Sequence, residues 1–428
     1  MSVRTDLPDE VWDAAVAHRD QRLRSSLAES AAAPAAQRGR LVSDPERIVR
    51  LVLAHGPDLF RVKPDPLPDE AYDRLAADDD SDVRFELAAA WHCPEWIRRR
   101  LVTDADPAVR RAAYGNWRNP PEEITDRLLA DPDHAVRHAV ARHACRHRPE
   151  LLSAVLDEVT DPWPLRELAL RAPLNREQCL PLVRHEDAGV RAAVAENPYL
   201  PADLVGEMAT DQEPRVRLRL SMRSGLSEAE RAAIDYEVAP GDRIEPAQWV
   251  LDRLDDPDVL QQCVHSAHLG LRRSAAYSPY LTPQQVEVLA GDHDFAVRLL
   301  LCENHDDVPA ELLLATYLEA QVITAGALLS RPNFPRAGLA RLADAAEPKA
   351  RALSVLDPAT PDAVIERLSR DDEPQVRSAA AADPRLSPAR VAELVVESAT
   401  AYAAARNPGL PVELMKRIVA EAESRAES

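Results

Sequence analysis

The stretch that decides the fold runs from Val190 to Gln212 and reads VRAAVAENPYLPADLVGEMATDQ. Val190, Ala193 and Val194 fall at i, i+3 and i+4, which is one face of a short helix. Asn197 and Pro198 end it: Asn tolerates the left-handed conformation of a helix C-terminus, and Pro cannot continue a helix. Leu200-Pro201 then opens a second helix, since Pro loses nothing in a first turn. Leu204, Val205 and Met208 give this second helix an apolar stripe. Its end runs into an acidic turn that can cap the next short helix.

Outward from this unit the same pattern returns about every 26 residues. An acidic turn followed by Val-Arg, or a close variant, leads into Arg84, Arg110, Arg137, Arg191, Arg217, Arg298 and Arg377. The same register passes through Arg24, Arg50, Arg166, Arg272, Ile323, Arg351 and Tyr402. The stops recur at Ser278-Pro279, Asp383-Pro384 and Asn407-Pro408, with a further break expected near Pro120. A period of this size is the signature of stacked repeats, each burying its apolar face against its neighbours. Helices of about eight residues fall below the roughly 12–15 needed for marginal stability alone, so they exist only by packing. The expectation is an all-α, right-handed α-solenoid of about 14 helix-pair repeats. Stacked at about 8–10 Å per helix layer, these would make a rod or arc of roughly 110–140 Å contour.

Composition agrees. With 36 Pro and only 12 Gly, the breaks are made by Pro at helix starts. The net charge of −20 should repel nucleic acid and anionic membranes on average. The only lysines are Lys63, Lys349 and Lys416, so nearly every cation is an Arg, suited to bidentate carboxylate pairing. No run of 18 apolar residues exists, and the N-terminus lacks the apolar core of a secretory signal. Five scattered cysteines read as reduced thiols, and the expected location is the cytoplasm.

Four segments are expected. Residues 1–64 form a degenerate N-terminal cap, with a break at Ala31–Ala36 and an extended connection at Val62–Pro68. Residues 65–225 are regular repeats. Residues 226–271 are irregular: Ser227 and Glu230 make a capping box opening a helix to about Tyr236, and Pro246 opens another carrying Trp249, Val250 and Leu254. This segment reads either as a decayed repeat or as a hinge or binding protrusion. Residues 272–428 return to regular repeats and a C-terminal cap.

The unit Val-Arg…Ala-x-Asn-Pro-x-Leu-Pro-x-x-Leu resembles the leucine-rich repeat variant, and the Asp…Val-Arg turn resembles that of HEAT-type repeats. The resemblance covers roughly residues 65–420 and implies a superhelix of paired short helices. The founding member of the variant family carries an iron–sulfur segment before its repeats. Here no cysteine precedes Cys93, so no cofactor is expected.

Candidate functional residues are few. The ladder arginines Arg84, Arg110, Arg137, Arg191, Arg217, Arg298 and Arg377 should reach acidic turns of their own or the adjoining repeat. The rival reading is a cationic stripe, which the neighbouring acids would neutralise. Trp91 and Trp117 lie seven residues after their ladder Arg, with Trp96 nearby. These three are the candidate partner-binding residues, with core filling as the alternative. His134, His138, His143 and His147 with Cys145 read as a solvated edge rather than a metal site. The set Cys263, His265, His268, His293, Cys302 and His305 is likewise not read as a metal site, since it lacks paired Cys-x-x-Cys spacing. No phosphate loop, nucleophile elbow or His-Glu-x-x-His is present. The function expected is a non-enzymatic scaffold that binds another protein on its concave face. The alternative is a HEAT-like nucleic-acid binder or DNA glycosylase-type enzyme.

Overall fold

A computed structural model describes residues 7–426 except 32, 58–64, 146, 160, 239–241 and 322. Among the described residues it contains 29 α-helices and five 3-10 helices, with no strand. The short helices of successive repeats lie side by side: Pro162–Arg171 packs on Ala188–Glu196, and that in turn on Pro214–Ser221. Breaks fall at Pro120, Pro198, Pro279, Pro384 and Pro408. The extended connection expected at Val62–Pro68 lies partly outside the described residues.

Two compact units can be distinguished. One joins residues 1–140 and 336–428; the other holds residues 141–335. In the first, Val83, Leu87, Val109, Ala113, Val136 and Val140 are fully buried in a single apolar cluster. The valine before each ladder Arg and the residue three after it point inward, so each short helix inserts two side chains between the layers. The first helix, Asp9–Val16, packs on the last, Val412–Ala426. Val11 and Leu7 join the cluster built from residues 355–415, and His18 Nε2 lies 3.0 Å from the Val419 carbonyl. A linear stack of repeats does not predict this contact between its two ends.

The second unit buries Val190, Val194, Cys179, Val216 and Leu220 completely. The irregular segment falls inside it. Ser227 and Glu230 form the capping box, but the helix runs only Glu228–Ala233, and the helix after Pro246 is a single turn, Gln248–Leu251. Between them residues 242–247 belong to no helix.

The helix stops work differently from the sequence expectation. Asn197 sits at φ −57°, ψ 124°, and among the described residues none other than glycine has positive φ. Its side chain acts instead. Asn197 Nδ2 donates to the carbonyls of Ala169 and Ala172 in the preceding repeat at 2.7 and 2.9 Å, while its Oδ1 accepts the Tyr199 N–H at 2.7 Å. Asn407 repeats this with Ala381, Asp383 and Gly409. Ser278 does so in shorter form, donating to the Leu254 carbonyl at 2.6 Å. Carbonyls left over at a buried helix end need a partner. A fully buried amide supplies two donors and an acceptor at once.

Candidate interaction surface

Most ladder arginines make two sets of bonds. Arg110 Nη1 donates to the carbonyls of Asp104 and Ala105 in its own turn at 2.9 and 3.1 Å. Its Nε and Nη2 grip both oxygens of Asp131 in the next repeat at 2.8 and 2.7 Å. Asp131 in turn accepts the Asp133 N–H at 2.9 Å, and its carbonyl accepts Arg137 at 2.7 Å. The same fork links Arg84 to Asp104 and Arg191 to Asp211, while Arg377 directs both Nε and Nη2 to one oxygen of Glu397. Arg298 reaches Glu319, while Arg217 donates to the Asp235 carbonyl at 2.5 Å and has the Asp235 carboxylate at 3.4 Å. Arg137 donates to the carbonyls of Asp131 and Pro132. The guanidinium thus staples adjoining repeats through its planar, five-donor geometry.

This pairing sets local acidities. The Arg110 bond holds the Asp131 carboxyl below its ordinary range. Burial alone would raise Asp104, but the Arg84 pair and the Asp106 N–H override it and the net direction is down. Arg166 departs from the ladder by gripping the helix-capping Asp187, whose pKa falls to about 2, chiefly through that bond. Gly189 leaves the room, since a Cβ there would collide with the Arg166 guanidinium.

Of the three tryptophans singled out above, the structure exposes two. Trp91 is 54 % and Trp96 42 % exposed, whereas Trp117 is 5 % exposed and sits in the apolar core with Arg99 over its ring. Trp117 is therefore withdrawn from any partner in this structure. The backbone explains the split. Ala90 turns extended directly after its helix at ψ 129°, while the equivalent Asn116 stays near helical at ψ 13° and carries the next residue inward.

Among the described residues no group of three His, Cys, Asp or Glu is placed to hold a metal ion. His134 and His138 lie with parallel rings 6.2 Å apart. All five cysteines are buried thiols outside any disulfide, and burial pushes Cys93, Cys179 and Cys302 up to about 11 and Cys263 to about 12. His268 lies 2.8 Å from the Ser221 hydroxyl. That hydroxyl is fully buried and donates to the Leu218 carbonyl, so the pair fastens the irregular segment rather than presenting a nucleophile. Burial, then Arg231 and Arg272, lower His268 to about 4.

These groups give stability a definite pH dependence. His268 has a native pKa below its unfolded value of about 6.5, so its contribution is complete above that pH and declines as pH falls toward about 4. Asp187 adds a second loss from roughly pH 4 down to about 2. Urea midpoints measured from pH 8 to 3 should fall first below about 6.5, and His268→Gln should flatten that first step. A midpoint unchanged between pH 7 and 4 would contradict this.

The sequence reading missed a cleft in the second unit. Its volume is about 210 Å³. The floor is Gly189, Ala192 and Ala193; Trp163, Glu167 and Leu170 line one side, and Arg215 and Arg219 the other, with Glu245 at the rim. Trp163 is 70 % exposed. A signal for it existed: Trp163 lies three residues before its ladder Arg, in a first helical turn where other repeats place Ser81, Pro107, Ala188 and Pro214.

Fold and ladder together define an all-helical repeat protein. Residues 188–213 match the family model described as the leucine rich repeat variant, which is one unit of the array. No curated protein matches the chain. Among the described residues no helix is long and apolar enough to cross a membrane.

Proposed function

We propose that this chain is a non-enzymatic scaffold that binds another protein through the exposed face of its stacked short helices and the turns that follow them. The observation that carries the reading is a division of labour among side chains. The arginines that recur with the repeat are engaged by carboxylates and turn carbonyls. Six of the large apolar side chains left exposed are aromatic, Trp91, Trp96, Trp163, Tyr199, Tyr280 and Tyr402, beside the aliphatic Ile48, Val288, Leu318, Val396 and Ile418. Aromatic anchors are what protein interfaces favour, whereas nucleic-acid binding relies on clustered, uncommitted cations. Buried thiols outside any disulfide fit a reducing compartment such as the cytoplasm.

The test immobilises the full chain and exposes it to lysate of its native host. One or more proteins should be retained specifically, and the double variant Trp91→Ala/Trp96→Ala should weaken retention at least about tenfold if these are hot spots. In parallel, mixed-sequence DNA and RNA are titrated by anisotropy at about 150 mM salt. Sub-micromolar, steeply salt-dependent binding would replace the scaffold reading with a nucleic-acid one.

A further inference from the structure

The cleft floored by Ala192 and Ala193 carries an inference that deepens the scaffold reading and rests on it. We infer that this cleft seats a single aromatic side chain of an extended partner peptide, which lies across the short helices beside the chain's own non-helical segment 242–247.

Three observations converge on that occupant. The first is size. At about 210 Å³ the cleft is smaller than the roughly 300–1,000 Å³ of pockets that enclose whole cofactors or drug-sized ligands, and it suits one large side chain. The second is lining. The floor is Gly189, Ala192 and Ala193, with no side-chain hydrogen-bonding atom, so the buried part of the guest is apolar. Trp163 is a residue 70 % exposed, and Arg215 a side chain 58 % exposed. Both interact with the face of an aromatic ring better than with an aliphatic chain.

The third observation is a precedent within the molecule. Segment 242–247 already lies on this helix row, held mainly through its backbone. Arg273 donates to the Asp242 carbonyl at 2.6 Å and Arg219 to the Glu245 carbonyl at 2.7 Å. The Ala247 N–H donates to Ser274 at 2.9 Å, and the Gln248 N–H to the buried Glu196 at 2.6 Å. Side chains of three short helices thus recognise a non-helical stretch of chain by its peptide groups, a mode that tolerates many sequences. Glu245 closes one side of the cleft, so an extended chain entering it would run alongside.

Charge favours a peptide over a stacked nucleobase. The other guanidiniums at the cleft are matched: Arg166 by Asp187 and Arg219 by Glu196. The Arg215 guanidinium stands 3.9 Å from Glu245. A nucleotide would bring its phosphate against Glu167 and Glu245.

The experiment selects a phage-displayed library of random 12-residue peptides against the full chain and measures synthetic versions of the winners by anisotropy. The winners should share one aromatic residue whose change to Ala weakens binding at least about tenfold. Trp163→Ala and Ala193→Phe, which fills the cleft, should each weaken the same peptides comparably, while Trp91→Ala should leave affinity within about twofold. Trp163 is exposed whereas Ala193 is partly buried against the core, so an unchanged urea midpoint must certify that each variant is folded. Absence of any enriched peptide, enrichment without an aromatic, or indifference to Ala193→Phe overturns the proposal. So does Trp163-dependent binding of a thymidine 20-mer. The two readings fail separately: a host protein retained equally by wild type and both cleft variants sinks the cleft alone, and no retained protein sinks the scaffold.

Discussion

Asp131→Ala is expected to lower the unfolding free energy by about 3 kcal/mol, the scale of stranding one member of a buried ion pair. Arg110 and Asp131 have side chains only 12 % and 6 % exposed, and their fork is bidentate at 2.7–2.8 Å. The substitution leaves a guanidinium facing the next repeat without its carboxylate and also removes the acceptor of the Asp133 N–H. Asp131→Asn should recover part of the loss, since it keeps the turn acceptor while losing the charge. A matched control is Glu207→Ala, whose partner Arg184 forms an exposed pair at 62 % and 42 % side-chain exposure. That variant should change stability by less than about 1 kcal/mol. Urea unfolding followed by circular dichroism makes the comparison. Equal losses for the two variants would mean that the ladder does not hold the repeats together. Stability of stacked repeats is a sum of unit and nearest-neighbour terms. Asp131→Ala acts on a neighbour term, so the transition should also broaden.

Asn197→Ala should destabilise to a similar extent, about 3 kcal/mol, for a different reason. It deprives the buried carbonyls of Ala169 and Ala172 and the N–H of Tyr199 of their partner, each worth roughly 1 kcal/mol. Asn197→Asp should be worse than Ala. It keeps one acceptor but aims a carboxylate at two carbonyls in a site with no exposure. A glycine, by contrast, should not rescue the site, although it would if the position required left-handed backbone. Its observed φ of −57° makes that requirement absent. If Asn197→Gly were as stable as wild type, the side-chain account would be wrong and the backbone account of helix stops restored.

These two positions show where sequence reading succeeds and where it stops. The period, the helix pairing and the inward valines follow from spacing alone, because a short helix can present only one apolar face and the neighbouring layer must cover it. The acidic turn and Val-Arg pair were legible as a partnership for the same reason. Which acid pairs with which arginine was not, since a carboxylate of the same turn and one about 20 residues on are equally available to a reader of spacing. The fold resolves it by giving the own-turn carbonyls to Nη1 and the next turn's carboxylate to Nε and Nη2. Asn197 was legible as a stop but not as a bridge, because its partners lie 25 and 28 residues earlier.

The candidate surface was less legible still. Trp91 and Trp117 hold the same place after their ladder arginines, yet a change of ψ at the preceding residue sends one to solvent and the other to the core. Trp163 drew no notice because its exposure depends on the small residues of the adjoining repeat. By itself, then, the sequence determined the repeat, its helices and the acid–arginine chemistry of its turns, all of which are local or periodic. Tertiary structure alone decided the pairing across repeats, the meeting of the first and last helices, and the cleft beside segment 242–247. Each of those depends on residues from different repeats meeting in space, and spacing along one chain does not encode that distance.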